Sequence, residues 1–280
     1  MRRHPFWVTF ISLYLIILSA VCNAAEIREY TLAVVPQYPK LIIHKNWTPL
    51  VNYLSQKTSI NLSLKHYASI TEFGIDLKKG VPDFAYMNPF HAIQARKFQG
   101  YIPLIKDGSK SLKGILVVRE DSSVKSVDEI NGQVVAFPDV NAFAASLYIR
   151  ALLNEKKIKI APEYVGTHAN VYRHVVLKKT PVGGGVYRTL NIEPETVKKH
   201  LRVIFETPGS APHPIGVHPR VPAEDRDKIM KAILDLANDP NYKKLLKGIQ
   251  ITKPVEANYE LDYQPLENLN LDELITSKGG

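Results

Sequence analysis

The sequence predicts an α/β fold of two lobes, each a mixed sheet flanked by helices, with a ligand cleft between them. Three observations carry this. Short β-branched runs alternate with helically spaced segments, as in sheets whose parallel strands are joined by crossover helices. The alternation occurs twice, over about 26–112 and about 118–212. Two extended runs, Gly114–Arg119 and Ile215–His218, follow the two series and are expected to be the crossover strands. Two lobes joined twice place a cleft where several helix N-termini face inward.

Residues 1–24 have the pattern of a secretion signal. Arg2, Arg3 and His4 precede an apolar run from Phe6 to Val21, and Cys22-Asn23-Ala24 fits cleavage after Ala24. Retention as a membrane anchor and lipidation at Cys22 are the competing readings. The run is about as long as a signal segment needs, and Val21 is too large for a good lipid-attachment site. No later stretch is apolar enough to span a bilayer. Lobe 1 is expected over 25–114 plus 216–280, and lobe 2 over 115–215.

Without residues 1–24 the chain keeps 34 of its 36 basic residues against 27 acidic ones, a charge of +7, and has no cysteine. Disulfide and thiol chemistry are thereby excluded. Lys156, Lys157 and Lys159 cluster at a helix end, where they complement its dipole as a solvated face, and no nucleic-acid patch is expected. The positive surplus favours an anionic solute.

In chain order, Tyr30–Val35 is a first strand, broken by Pro36-Gln37-Tyr38-Pro39. Trp47, Leu50, Val51 and Leu54 have helical spacing, with Asn46 as cap and Pro49 in the first turn. Ile60–His66 alternates as a second strand. Ser69 or Thr71 caps a helix that Gly80 ends. Pro82–Met87 is a short buried strand, and Asn88-Pro89 turns into another helix. Tyr101–Ile105 and Lys113–Arg119 are strands, and Ser126 to Ile130 is a short helix ended by Asn131-Gly132.

Val134–Phe137 is a strand stopped by Pro138. Asp139 and Asn141 are turn or cap residues, and from Ala142 the chain becomes helical through Leu153. A strand, a turn and a helix N-terminus present backbone N–H groups at the positive end of a dipole, a natural anion site. Glu163–Val165 is a strand, and Gly166-Thr167-His168 opens a helix. Pro181–Val186 is a strand or loop so rich in glycine that something must approach its backbone closely. Leu201–Phe205 is a strand, and Pro208–Pro214 a polar loop. Pro222 opens a long amphipathic helix, a last helix follows Pro240, and the polar tail packs as a strap.

Taken in order, Trp47-Thr48-Pro49-Leu50, the run Gly80 to Phe90 with Asp83-Phe84-Ala85-Tyr86 and Pro89-Phe90, Arg119-Glu120-Asp121-Ser122, Ser126 to Gly132, and Gly166-Thr167-His168 resemble the phosphonate/phosphate-type periplasmic solute-binding proteins of ABC transporters. The resemblance covers about 30–265. It implies a two-lobed type II periplasmic-binding-protein fold that closes on a small anionic solute. It also implies a periplasmic location, a membrane permease as partner, no cofactor and no catalysis. A sensor subunit for a membrane signalling receptor is the alternative on the same fold. The chain is expected to act as a monomer.

The resemblance and the turn positions together name the candidate ligand residues. Gln37 and Tyr38 follow the first strand, and Tyr86, Asn88 and His91 surround a strand-to-helix turn. Asn141, Ala142, Phe143, Ala144 and Ser146 occupy the family's anion-binding turn. Thr167 and His168 form the second turn, with His168 expected to donate to an oxyanion, and Arg188 could bind one bidentately. The family's Ser-Thr-Ser-Gly-like turn reads Ala142-Phe143-Ala144-Ala145 here, so its hydroxyls are replaced while the backbone N–H groups remain. Phe143 implies a flatter or more apolar wall. The family's acidic amine contact would fall near Gly183 and is absent. His213 and His218 lie five apart across prolines, lack metal-site spacing, and are expected to be structural or surface residues. No nucleophile elbow and no phosphate-cradling loop is present.

Overall fold

The computed structural model describes residues 28–276. The expected signal segment, and with it Cys22, lies outside the described residues. The strands are β1 (Glu29–Val34), β2 (Asn61–Lys65), β3 (Phe84–Tyr86), β4 (Ile102–Asp107), β5 (Gly114–Arg119), β6 (Val134–Phe137), β7 (Ala161–Tyr164), β8 (Val182–Val186), β9 (Leu201–Glu206), β10 (Ile215–Val217) and β11 (Pro254–Glu256). The helices are α1 (Lys40–Thr58), α2 (Ile70–Lys78), α3 (Pro89–Gln99), α4 (Tyr148–Glu155), α5 (His168–Val176), α6 (Tyr187–Asn191), α7 (Glu195–Lys198), α8 (Ala223–Leu236) and α9 (Lys243–Ile249). Short helical turns follow to Thr276.

Two mixed sheets result. One has the order β11-β4-β10-β3-β1-β2, the other β7-β6-β8-β5-β9. In the first, β1 is parallel to β2 and β3, while β10 runs antiparallel between β3 and β4. In the second, β6 is parallel to β7 and β8, and β5 is antiparallel to β8 and β9. The parallel strands end toward the space between the sheets, where an open α/β sheet binds ligands.

The expected crossing runs prove to be sheet members: Gly114–Arg119 is β5, and Ile215–Val217 is β10. The chain passes between the sheets in the segments beside them, 108–113 and 207–214. These are joined by one antiparallel bridge, with Leu112 and Ser210 exchanging backbone hydrogen bonds of 2.8 and 2.9 Å. The branched residues of β5 specify an extended strand but not the strands it pairs with.

Helix α1 also differs from expectation. It begins at Lys40 rather than near Asn46, so Pro49 lies inside it. An internal proline costs about 3 kcal/mol. Ile43, Trp47, Leu50, Val51 and Leu54 are buried on one face, and five such side chains at about 2 kcal/mol each outweigh that cost. The α2 and α3 starts follow the sequence reading. Ser69 Oγ accepts from the Glu72 N–H, and Asn88 Oδ1 accepts from the His91 N–H.

The glycines of β8 admit protein rather than ligand. On one side, a side chain at Gly183 would collide with Val171 and Val175 of α5; on the other, one at Gly184 would collide with the Ala145 carbonyl and the Phe137 ring. The helix that follows β6 therefore starts directly against the second sheet.

Candidate functional site

That start is a π-helical turn, Phe143–Leu147, running into α4. The first donors of a helix have no intrahelical acceptor. The Asn141 N–H donates to Asp139 Oδ1 (2.7 Å), the Ala142 N–H to the Asp139 carbonyl (3.2 Å), and the Ser146 N–H to the Ala142 carbonyl (2.9 Å). Among the described residues the N–H groups of Phe143, Ala144 and Ala145 have no partner. The expected cradle over Asn141–Ser146 is thus narrowed to three donors.

These residues line a cavity between the lobes, together with Gln37, Ile70, Asn88, Leu112, Ala142, His168, Val186 and His213. It has room for about one water molecule, so the cleft is shut. Across its mouth Asn88 Nδ2 donates to the Asn141 carbonyl (3.0 Å), and Thr71 Oγ1 donates to Asp139 Oδ2 (3.3 Å). Asn141 Nδ2 in turn donates to Thr71 Oγ1 (3.4 Å).

The sequence candidates divide into three groups. Gln37, Asn88, Ala142, Phe143, Ala144 and His168 meet at the cavity. Phe143 is 2% exposed and stacks on Tyr148 with centroids 5.5 Å apart, an apolar wall. Tyr38, Tyr86 and Arg188 form a cluster beside it. Arg188 donates to Tyr86 Oη (3.3 Å) and to Gln250 Oε1, tying α6 to the first sheet and to the end of α9. Tyr38 Oη is buried without a partner, and burial raises its pKa. Burial likewise raises that of Tyr86. Arg188 spends two of its donors inside the protein rather than standing open for a bidentate ligand.

His91, Asn141, Ser146 and Thr167 are outside the cavity lining, each for a local reason. The His91 ring packs against Gly74 and Phe73 of α2. Asn141 spends its amide on Thr71. Ser146 Oγ accepts from Arg150 Nε (3.3 Å), and Thr167 Oγ1 caps α5 by accepting from the Asn170 N–H (3.1 Å). Gly183, near which the family's acidic amine contact would fall, faces α5 and not the cavity.

His213, expected in a structural or surface role, keeps the structural one by its burial and adds a place in the cavity lining. It is 3% exposed, lines the cavity and stacks on Tyr86 with centroids 5.4 Å apart. Gln37 Nε2 lies 2.6 Å from its Nε2, and its Nδ1 has no partner. Burial, then the charge of Arg188, pushes its pKa well below the usual histidine value. Its signal in the sequence is a histidine between two prolines just before β10, in a segment that must cross the cleft. His218 packs edge-on against Tyr101, as a structural residue. Burial lowers the pKa of His168 to about 4. Among the described residues no group of three or more metal-ligating side chains converges, and no helix is long and apolar enough to cross a membrane.

Residues 32–263 match the family described as the periplasmic substrate-binding protein of the phosphonate ABC transporter. No curated protein matches the chain. Similar solved structures include a binding-protein component of an ABC phosphonate transporter from Pseudomonas aeruginosa, at 15% identity over 90% of each chain with a TM-score of 0.75. PhnD1 from Prochlorococcus marinus, solved in complex with methylphosphonate, is 13% identical over 89% of this chain and 99% of that one, with a TM-score of 0.79. A Xanthomonas citri protein solved with bound chloride is 16% identical over 88% and 96%, with a TM-score of 0.71. At these identities the likeness is one of fold, and the fold is that of type II periplasmic binding proteins.

Proposed function

The chain belongs to the family of periplasmic substrate-binding proteins of phosphonate ABC transporters, and on that premise we propose that it captures a small phosphonate-like oxyanion between its lobes and delivers it to the membrane permease. One observation carries the reading. Phe143, Ala144 and Ala145, whose N–H groups are unpaired, line a buried cavity with no carboxylate in its lining. Donors of this kind at a helix start bind phosphate-type anions through both hydrogen bonds and the dipole. A lining without an acid suits an unsubstituted head group better than an aminoalkyl phosphonate. We assign ligand contact to Gln37, Asn88, Phe143, Ala144, Ala145, His168 and His213. Tyr38, Tyr86 and Arg188 support them from behind.

Hinge closure is the working motion. The hinge is assigned to 108–113 and 207–214, with lobe 1 up to 107 and from 215, and lobe 2 between. The protein acts as a monomer after removal of residues 1–24. Delivery to a permease is preferred to presentation to a membrane sensor because the family match is to a transporter component.

A thermal-shift series on a chain starting at Ala25 tests this. A ligand at a hundred times its Kd adds about 2.7 kcal/mol, a rise of roughly 5–10 °C for a chain of this size. Methylphosphonate or inorganic phosphate is expected to give it. Shifts with neutral solutes and none with any oxyanion would sink the proposal.

A further inference from the structure

The hydroxyls behind His168 decide which of its nitrogens carries the proton. His168 Nδ1 lies 3.3 Å from Thr189 Oγ1. Thr189 Oγ1 is also 2.7 Å from Tyr172 Oη and 3.0 Å from the Val186 carbonyl, and Tyr172 Oη is 3.1 Å from that carbonyl. The two hydroxyls bring two protons. One lies between Thr189 and Tyr172, and the other goes to the Val186 carbonyl, which lies nearer to the two hydroxyls (3.0 and 3.1 Å) than His168 Nδ1 lies to Thr189 (3.3 Å). Thr189 then has none left for His168, so the imidazole proton sits on Nδ1 and is donated to Thr189. Nε2 is a bare lone pair. It makes no hydrogen bond within the protein, on a ring that lines the cavity.

The ring stays neutral at physiological pH because burial holds its pKa near 4. The titratable and charged groups around it give no reason to revise this. Tyr172 is hydrogen bonded behind it, Glu193 pairs with Arg173 (3.3 Å), and Arg188 and His213 add positive or neutral groups. Gln37, its Nε2 spent on His213, offers a second acceptor in Oε1, and the remaining contacts on offer are donors. They are the N–H groups of Phe143, Ala144 and Ala145, and His213 Nδ1–H, since Gln37 Nε2 donates to His213 Nε2.

We propose that the site binds its oxyanion as the singly protonated acid, with the P–OH donating to His168 Nε2 and the bare oxygens held by the Phe143–Ala145 N–H groups and His213. This rests on the anion-binding reading above and sharpens it. Oxyanions that carry no proton at neutral pH, such as sulfate and alkylsulfonates, would set a lone pair against a lone pair. Sites built to bond a ligand hydroxyl reject the analogue that lacks it by large factors.

Methylphosphonate and methanesulfonate share shape and, at pH 6, charge; only the acid O–H differs. Titration calorimetry of the chain from Ala25 at pH 6 is expected to show methylphosphonate binding at least 100-fold more tightly. Its Kd should weaken about tenfold per pH unit once the ligand's own second proton is lost. Methanesulfonate binding within threefold of methylphosphonate overturns the inference and leaves the anion site standing. Binding of neither overturns both. In His168→Gln, whose amide can turn a donor toward the ligand, the ratio is expected to collapse. An unchanged ratio there removes His168 from the role. The native comparison needs no variant, so a folding defect in His168→Gln cannot decide the matter.

Discussion

His91 and His168 are buried, and burial lowers their pKa values to about 3 and about 4. In an unfolded chain histidine titrates near 6.5. Below that pH the unfolded chain therefore holds more protons than the folded one, and stability present above pH 6.5 falls as pH drops toward the folded values. For His168 alone the loss reaches about 3 kcal/mol by pH 4. His91 adds a second cost, since neither ring nitrogen has a partner. His91→Leu should be more stable at pH 7 by about 1–3 kcal/mol and lose less stability at pH 5. Thermal unfolding at both pH values checks this, and an unaltered acid slope would refute it. The same residues show what was legible in the sequence. Gln37, Asn88, Ala142, Phe143, Ala144 and His168 stand at the ends of parallel strands, and topology alone puts such positions in a cleft. Asn141, Ser146 and Thr167 stand there too, but Thr71, Arg150 and the cap of α5 take up their side chains, and nothing in a sequence says which way a turn residue faces. His213 was hidden because a crossing loop has no period from which to read its direction.

Among the elements, the β6-to-α4 connection carries the site. Gly184 lets the π-helical turn lie against β8, and the turn leaves three N–H groups without acceptors. The alternation of strands and helices was readable because parallel strands buried on both faces demand crossovers. The position of Pro49 and the pairing of β5 were not, because each depends on packing from distant residues. Asn88 joins two elements at once. Its Oδ1 caps α3 by accepting from the His91 N–H (2.8 Å), and its Nδ2 reaches the Asn141 carbonyl in the other lobe. Asn88→Asp keeps the cap and removes the interlobe donor. Its melting temperature should stay within a few degrees of the parent, while affinity for methylphosphonate drops about tenfold, the worth of roughly 1.4 kcal/mol. Calorimetry and thermal unfolding on the same sample separate the two effects. Unchanged affinity would show that this bond does not hold the closed lobes.

For the molecule as a whole, closure and binding are one event. The cavity between the shut lobes has room for about one water, so an oxyanion enters only when they part. The C-terminal strap touches the hinge and the second lobe. Tyr263 Oη donates to the Pro212 carbonyl (2.9 Å), and Arg150 Nη1 of the second lobe donates to the Leu274 carbonyl (2.9 Å). A reporter of this motion is built in. Removal of residues 1–24 takes away Trp7 and leaves Trp47 as the only tryptophan. Its ring lies 4.7 Å from that of Tyr86, which accepts from Arg188 across the cleft. Titrating the chain from Ala25 with methylphosphonate while following Trp47 emission therefore reads binding and closure together. A saturable change in emission is expected, absent when a neutral solute replaces the oxyanion. Flat emission with every oxyanion tried, at concentrations where the protein remains folded, would contradict capture of an anion between the lobes.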